Sequence, residues 1–241
     1  FVQKSREEGY DGKGVLTVKE KKDLDLLFDT PSLIEELVPI EKELAVIVSR
    51  NPDNDTITFP TVEMEFSSDA NLVEQLVCPS NISKDQDEKT REIAVAIIEK
   101  LNMVGNLAVE FFLTKTGDIL VNEVAPRPHN SGHHTIESTY TSQFEQHLRA
   151  ITNLPLGSTK LIAPSVMINI LGHPDYEGDA IYTNVDTCLK LEGVYIHVYG
   201  KKVTKPYRKM GHVTIMDNTI EKAKTKANIV KNKLTVISNE K

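Results

Sequence analysis

Short runs of apolar, β-branched and aromatic residues alternate with polar turns over most of the chain and predict a protein rich in β-strands. Strands are expected at residues 1–4, 15–18, 33–38, 44–50, 56–65, 165–171, 195–199 and 212–216. Only a short turn at 51–55 interrupts residues 43–65, so this segment is expected to form an antiparallel pair. Residues 69–83 show no clear period and are expected to form a loop.

Helical spacing of apolar residues marks four further stretches. They are residues 19–28, 85–102, 142–152 and 219–234. The clearest is 85–102, where Ile93, Ile97 and Leu101 recur on one face. This segment is therefore expected to form an amphipathic helix that packs on a sheet.

The centre of the chain has a hairpin pattern, two apolar strands joined by a short polar turn. A loop at 115–118 pairs Thr114 with Ile119 across it. Counting outward along the strands then places Glu110 opposite Glu123. Like charges directly opposite on neighbouring strands are destabilising, and a buried carboxylate needs a partner. We therefore expect a cation between these two side chains.

Mg²⁺ fits that position, because it takes one or two carboxylates and completes its shell with water and phosphate oxygens. Asn122 offers a third oxygen, although a regular strand points it to the opposite face, so a bulge or strong twist is required. The loop 127–132 that follows is rich in hydrogen-bond donors and is stiffened by Pro126 and Pro128. It can hold an anionic substrate beside the metal. The simpler alternative is a hairpin with charged edge residues and a polar loop.

A glycine-rich segment containing Gly9, Gly12 and Gly14 joins the first two predicted strands. Its amides can face phosphate oxygens, and Lys4 and Lys13 add positive charge there. The spacing is not that of a Walker phosphate-binding loop. An ordinary glycine-rich hairpin turn is the alternative interpretation.

Cationic residues cluster near the C-terminus in two strand-linking turns, 199–202 and 207–212. The whole chain of 241 residues carries a formal net charge of −7, so this clustering indicates an anion site, with a solvated loop as the alternative. The acidic balance and the lack of a long basic run argue against a nucleic-acid partner. Hydrophobic residues at 39% and charged residues at 26% are typical of globular proteins.

No apolar run approaches the ~20 residues that span a bilayer, so no membrane partner is expected. Cys78 and Cys188 match no metal or redox spacing. They are expected to be buried small residues in a reducing cytoplasm.

Six motifs make the pattern specific: GYDGKG at 9–14, EKELAVIV at 41–48, AVEFF at 108–112, NEVAPRPHNSGH at 122–133, QFEQHLRA at 143–150 and RKMGH at 208–212. Together they resemble the 5-(carboxyamino)imidazole ribonucleotide synthase family of ATP-grasp enzymes. The resemblance implies an α+β ATP-grasp fold of mostly antiparallel sheets with flanking helices. It divides the chain into the remainder of the small ATP-grasp lobe at 1–40, the catalytic core at 41–160 and a small, mainly β C-terminal subdomain at 161–241.

The activity that the resemblance implies is a step of de novo purine biosynthesis. Bicarbonate is joined to the amine of 5-aminoimidazole ribonucleotide through carboxyphosphate, while ATP becomes ADP and phosphate. ATP and Mg²⁺ are the implied cofactors, and the full-length protein is expected to be a cytoplasmic homodimer.

The resemblance also assigns residues to roles. ATP would be bound by Lys4, Gly9, Gly12, Lys13, Gly14, Glu35, Val38, Glu43 and Asn122. Mg²⁺ would be held by Glu110 and Glu123. The ribonucleotide and bicarbonate would meet Tyr10, Asp11, Arg127, His129, Asn130, Ser131, Lys201 and Arg208.

Two positions depart from the family pattern. Val15 stands where the family's loop usually ends with Gln, and Phe66 stands where many members place an ATP-contacting His. The details of nucleotide contact are therefore open.

Three alternatives remain at this point. A formate-dependent glycinamide ribonucleotide transformylase would share the Mg²⁺ carboxylates but would not need the motif at 208–212. A zinc hydrolase would use His129, His133 and His134, whose spacing matches no common zinc signature. An inactive nucleotide-binding fragment is the third, because family members begin with an N-terminal domain that is not part of this sequence.

Overall fold

The computed structural model describes residues 1–7, 14–66 and 73–239. Five of the candidate site residues therefore lie outside the described residues: Gly9, Tyr10, Asp11, Gly12 and Lys13. Their expected roles stay predictions.

The described residues contain sixteen strands. They are β1 Val2–Ser5, β2 Val15–Thr17, β3 Ser32–Glu35, β4 Ile40–Arg50, β5 Thr56–Thr58, β6 Val62–Phe66, β7 Val73–Cys78, β8 Gly105–Thr114, β9 Ile119–Ala125, β10 Ser165–Leu171, β11 Gly178–Asp179, β12 Ile181–Thr183, β13 Val194–Val198, β14 Val203–Thr204, β15 Lys209–Met216 and β16 Thr235–Ile237. The helices are α1 Lys84–Lys100, α2 Thr135–Ser138, α3 Gln143–Ile151, α4 Val185–Leu189 and α5 Ile220–Lys233, with 3₁₀ turns at Lys21–Leu26 and Asn130–Gly132.

In the described part of the chain, nine strands form one sheet in the order β13-β15-β10-β7-β6-β4-β8-β9, with β5 paired to β4. A separate three-stranded sheet has the order β2-β1-β3. Both sheets are antiparallel at every named strand pair. The expected α+β fold of mostly antiparallel sheets with flanking helices is confirmed.

Strand β4 is buried on both faces over residues 44–50, which explains its continuous apolar run. Leu44, Val46 and Val48 pack with the inner face of α1. Ala45 and Ile47 face the other way, toward the polar loop that follows β9. Strand β4 therefore packs against α1 on one face and toward the loop that follows β9 on the other.

Helix α1 begins where the sequence provides a cap. The Ser83 hydroxyl accepts the N–H of Gln86 at 3.2 Å, and the Gln86 side chain accepts the N–H of Ser83 at 3.0 Å. This capping box pairs two amides that the first helical turn leaves without partners. The predicted helix at 85–102 is thus confirmed to within two residues at each end.

Three local predictions were wrong. Residues 69–83 contain strand β7, which lies between β6 and β10 rather than in a loop. The segment 19–28 forms only a 3₁₀ turn. The strand expected at 56–65 is two strands, β5 and β6, separated by a segment that contains Pro60.

The C-terminal part continues the large sheet, because β10 pairs with β7 on one side and β15 on the other. It also has its own core, in which α5 packs on β10 and β15. The division at residues 40 and 160 stays a prediction. Cys78 and Cys188 are both unpaired and buried. Within the described residues, no helix is both long and apolar enough to cross a membrane.

Candidate active site

The central hairpin places Glu110 opposite Glu123, as predicted, but the register of the two strands near the turn differs from the predicted one. The turn starts one residue earlier than expected, so Ile119 pairs with Leu113 and the predicted pairing with Thr114 was wrong. One extra residue then interrupts β9 between Val121 and Glu123 and restores the register. The one-residue β-bulge in β9 thus offsets the one-residue shift at the turn, so that Glu110 and Glu123 still pair.

The extra residue is Asn122, and the bulge turns it toward the same cavity as both carboxylates. Its side-chain oxygen accepts a hydrogen bond from Lys4 Nζ at 2.9 Å. Lys4 Nζ also lies 2.8 Å from a carboxylate oxygen of Glu35. The bulge that the sequence required for Asn122 is therefore present, and it links the hairpin to the small sheet.

A cavity of about 240 Å³ lies between the small sheet and the hairpin. It is lined by Val2, Lys4, Val15, Thr17, Glu35, Glu36, Leu37, Val38, Ile40, Glu43, Phe66, Glu110, Phe112, Asn122 and Glu123. Five of the predicted ATP-binding residues are among them, together with both predicted metal ligands. Gly14 lies nearby, where its carbonyl accepts the N–H of Ser5 at 2.8 Å.

Glu43 and Glu110 have raised pKa values, first because they are buried and second because they share this cavity with Glu123. Burial, followed by the nearby Glu123 charge, raises the pKa of Glu110 to about 7. Burial and the same neighbour raise the pKa of Glu43 to about 7, although Lys4 acts in the opposite direction. The arrangement is favourable for a cation, because a positive charge would favour the ionised forms of Glu43 and Glu110 beside Glu123.

The loop after β9 places two of its predicted site residues against each other. His129 Nδ1 lies 3.0 Å from Ser131 Oγ and accepts the N–H of Ser131 at 3.4 Å. His129 Nε2 lies 3.6 Å from a carboxylate oxygen of Glu110. Arg127 donates to the Pro128 carbonyl at 3.1 Å, and Asn130 begins the 3₁₀ turn.

The basic C-terminal segment reaches the same region. The positive charge of Lys209 partly opposes the burial that raises the pKa of Glu110 and adds to the burial that lowers the pKa of His133, so the beginning of β15 lies beside the hairpin and the loop. Lys201 donates to the Lys209 carbonyl at 2.6 Å, and Arg208 donates to the Val203 carbonyl at 2.7 Å. Lys209 was not among the predicted site residues, although it belongs to the cationic segment 207–212, which was predicted as a turn and whose residues 209–212 are part of strand β15.

Sequence reasoning also missed a column of aromatic rings behind the loop. The His133 ring stacks on His212 with centroids 4.8 Å apart, and His212 stacks on His197 at 4.4 Å. Burial lowers the pKa of His133 to about 4 and that of His212 to about 3, so both rings are neutral. These histidines come from distant segments, and no local spacing could have indicated their contact.

The three histidines of the zinc alternative have different partners. His129 faces Glu110, His133 lies in the ring column, and His134 Nδ1 is buried 2.7 Å from the Ser138 hydroxyl. Among the residues that the structure describes, no group of three or more His, Cys, Asp or Glu side chains could hold a metal ion. Two opposed carboxylates and an amide match Mg²⁺ with phosphate better than they match zinc.

The comparisons with known proteins agree with this geometry. The family model for the ATP-grasp domain matches residues 1–144, which is more than half of the chain. The chain belongs to the ATP-grasp family. A second model, the phosphoribosylaminoimidazole carboxylase C-terminal domain, matches residues 165–226 of this ATP-grasp protein.

Several relatives of the ATP-grasp chain share the name N5-carboxyaminoimidazole ribonucleotide synthase. The chain is 42% identical over 219 residues to the protein of this name from Bacillus subtilis. The N5-carboxyaminoimidazole ribonucleotide synthetase structure from Thermotoga maritima covers 99% of the chain with a TM-score of 0.91 and 47% identity. The Aspergillus clavatus synthase, solved with ADP and 5-aminoimidazole ribonucleotide, covers 96% with a TM-score of 0.84 and 32% identity. These matches confirm the predicted family resemblance.

The ATP-grasp chain is shorter than these relatives. It spans 56% of the Bacillus subtilis protein and 41% of the chloroplastic phosphoribosylaminoimidazole carboxylase of Vigna aconitifolia. It also spans 62% of the Thermotoga maritima chain and 61% of the Aspergillus clavatus chain.

Proposed function

We propose that this protein couples the cleavage of ATP to the carboxylation of 5-aminoimidazole ribonucleotide by bicarbonate, as a step of purine biosynthesis. The observation that carries the proposal is the convergence of Glu110, Asn122, Glu123 and Lys4 on one cavity, produced by the bulge in β9. The relatives' names, and the ADP and aminoimidazole ribonucleotide in one of their structures, supply the substrate class.

The nucleotide occupies the cavity between the two sheets in this proposal. Lys4 and the segment from Gly9 to Gly14 contact its phosphates, Glu35 and Val38 the adenine, and Glu43 the ribose. Val15 and Phe66, the two departures from the family pattern, line the same cavity and present apolar surface to it.

Mg²⁺ is held by Glu110 and Glu123 with help from Asn122. The donor set fits, because Mg²⁺ uses few protein carboxylates and keeps positions for phosphate oxygens and water. The raised pKa values of Glu43 and Glu110, at about 7, support a cation here, since the three carboxylates repel one another without it. When bound, the ion neutralises charge that develops on the transferred phosphoryl group.

Bicarbonate is a poor electrophile, so its carbon must acquire a leaving group before an amine can attack. A bicarbonate oxygen attacks the γ-phosphorus, and ADP leaves. The ribonucleotide amine then forms the C–N bond as phosphate departs and the amine loses a proton. Arg127 suits the carboxyphosphate because a guanidinium can bind two oxygens at once. The carboxyphosphate would lie against the loop that contains His129, Asn130 and Ser131.

The ribonucleotide lies toward the C-terminal part of the site. Lys201 and Arg208 hold its 5′-phosphate, and Tyr10 and Asp11 complete its contacts. The positions of Lys201 and Arg208 support the proposal, since both residues lie next to Lys209, whose charge acts on Glu110. We also propose a homodimer for the full-length protein.

Labelled bicarbonate tests the function in the full-length gene product. With ATP, Mg²⁺ and aminoimidazole ribonucleotide, label should enter an acid-labile product in a one-to-one ratio to ADP and phosphate. Formate with glycinamide ribonucleotide, the substrates of the transformylase alternative, should not stimulate ATP cleavage. Formate-dependent cleavage, or cleavage that does not respond to aminoimidazole ribonucleotide, would contradict the proposal.

A further inference from the structure

The first residue of the motif QFEQHLRA holds the backbone of the active-site loop. The Gln143 side chain is fully buried at 0% exposure. Its Oε1 accepts the N–H of His129 at 2.9 Å, and its Nε2 donates to the carbonyl of the same residue at 2.8 Å. One primary amide thereby satisfies both backbone groups of His129, in the manner of a neighbouring β-strand.

These two bonds fix which end of the amide is oxygen. An N–H can donate only to Oε1, and a carbonyl can accept only from Nε2. Nε2 also lies 3.0 Å from Nδ1 of His133, and as a donor it requires that nitrogen to accept. The proton of the neutral His133 ring must then be on Nε2.

Gln143 is itself held firmly. Its backbone N–H donates to Thr135 Oγ1 at 2.8 Å, and its carbonyl accepts from Asn106 Nδ2 at 2.7 Å. A Cβ on Gly132 would lie 2.6 Å from Gln143 Oε1 and 2.2 Å from Ile47 Cδ1. The loop therefore packs so closely on this amide that only glycine fits at that point.

We propose that Gln143 is a positioning residue of the active site. Its amide fixes the backbone of His129, and so the place of the imidazole beside Glu110 and Ser131. The same amide imposes the Nε2–H tautomer on His133. The effect on catalysis rests on the function proposed above, whereas the loop position and the tautomer do not.

Gln146, one turn later on α3, is a matched control. It is equally buried, and its amide makes the same pair of bonds to a backbone unit, with Oε1 accepting the N–H of Gly157 at 2.9 Å and Nε2 donating to its carbonyl at 3.1 Å. Gly157 lies outside the candidate site. Replacing Gln146 therefore removes the same kind of interaction from the same helix without touching the loop.

The experiment combines nitrogen-15 NMR of the histidine rings with kinetics on the full-length gene product. Wild type should show His133 as the Nε2–H tautomer. In Gln143→Glu both side-chain oxygens accept, so the proton of His133 should move to Nδ1. In Gln143→Met the kcat for bicarbonate-dependent ATP cleavage should fall about 100-fold, as expected for a displaced catalytic loop, with the KM for ATP within about twofold of wild type. Gln146→Met should keep the wild-type tautomer and kcat.

Several results would overturn the proposal. A wild-type His133 protonated on Nδ1 would do so without any variant. An unchanged tautomer in folded Gln143→Glu, an unchanged kcat in folded Gln143→Met, or equal losses in the Gln146→Met control would do the same. If wild type showed no turnover with aminoimidazole ribonucleotide, the proposed function would fail, while the tautomer measurements would still decide the role of Gln143.

Discussion

Three carboxyl groups in one cavity dominate the chemistry of the site at the scale of single residues. Burial, and then the charge of Glu123, raises the pKa of both Glu43 and Glu110 to about 7. A group with such a pKa is readily ionised when a cation arrives. The same repulsion makes the carboxyl groups unfavourable for folding when no cation is bound.

Glu110→Gln should therefore stabilise the protein at neutral pH when divalent ions are removed. The unfolded carboxyl ionises near its ordinary value of 4.5 and the folded one near 7. Between these values the folded state binds more protons, so the wild-type unfolding free energy falls as pH rises. We expect the variant to match wild type near pH 4.5 and to exceed it near pH 7.5 by at most on the order of 3 kcal/mol.

Urea unfolding at both pH values, with chelator, measures this difference directly. Glu92→Gln is the control, because Glu92 is an exposed residue of α1. A wild-type-to-variant difference that stays constant from pH 4.5 to 7.5 would show that Glu110 is not held in an unfavourable environment.

At the scale of elements, the loop after β9 and strands β13 and β15 meet in the column of His133, His212 and His197. His212 is 3% exposed and its Nε2 has no hydrogen-bond partner among the described residues. Protonation would place a charge on a buried ring whose Nδ1 lies 3.0 Å from the Tyr199 hydroxyl but whose Nε2 has no acceptor among the described residues. Packing of these elements therefore depends on a neutral ring.

His212→Phe tests that dependence, because phenylalanine keeps a stacking ring and removes the titration. The folded pKa of His212 is about 3, against an ordinary value of 6.5. The unfolded chain takes up a proton as pH falls through this window and the folded chain does not, so stability is lost on acidification. We expect the variant to lose about 2 kcal/mol less than wild type between pH 6.5 and 4.5. Parallel pH profiles in guanidinium unfolding would refute this.

The central hairpin could be predicted from the sequence, whereas strand β7 could not. The hairpin was predictable because its two strands are adjacent and their carboxylates are rare in apolar runs. Its turn was misplaced by one residue, and the bulge at Asn122 hid that error. Strand β7 was missed although it pairs with the preceding strand β6, because its other partner, β10, lies far along the chain and nothing local marks β7 as a central strand.

The candidate site likewise contains some residues that the sequence indicated and others that it did not. Motifs that contain Glu110, Asn122 and Arg127 indicated their region directly. Lys209, Gln143, His133 and His212 also belong to the quoted motifs, but their part in the site depends on contacts between segments that only the folded chain brings together. Packing of this kind leaves no period or spacing in the sequence.

At the scale of the whole molecule, two sheets enclose the cavity, and few described contacts join them. The hydrogen bond from Lys4 to Asn122 crosses between β1 of the small sheet and β9 of the large sheet. A ligand that contacts both sheets should therefore tie them together.

Hydrogen exchange should report this coupling in the full-length gene product. Saturating ATP with Mg²⁺ should slow exchange in Val2–Ser5, Ser32–Glu35 and Ile119–Ala125, because a nucleotide that contacts both sheets stabilises the folded state by mass action. Exchange in α5, Ile220–Lys233, serves as the internal control and should change little. Equal protection across the molecule, or none in β1, would contradict binding between the sheets.

The most direct test of the account is the Mg²⁺ dependence of ATP binding, measured by calorimetry. Wild type should bind ATP much more tightly with Mg²⁺ than without it. In Glu110→Gln and Glu123→Gln most of that difference should disappear, whereas Glu65→Gln, which alters a carboxylate paired with Lys224, should retain it. If both cavity variants bound ATP with the wild-type Mg²⁺ dependence, the opposed carboxylates would not be the metal site.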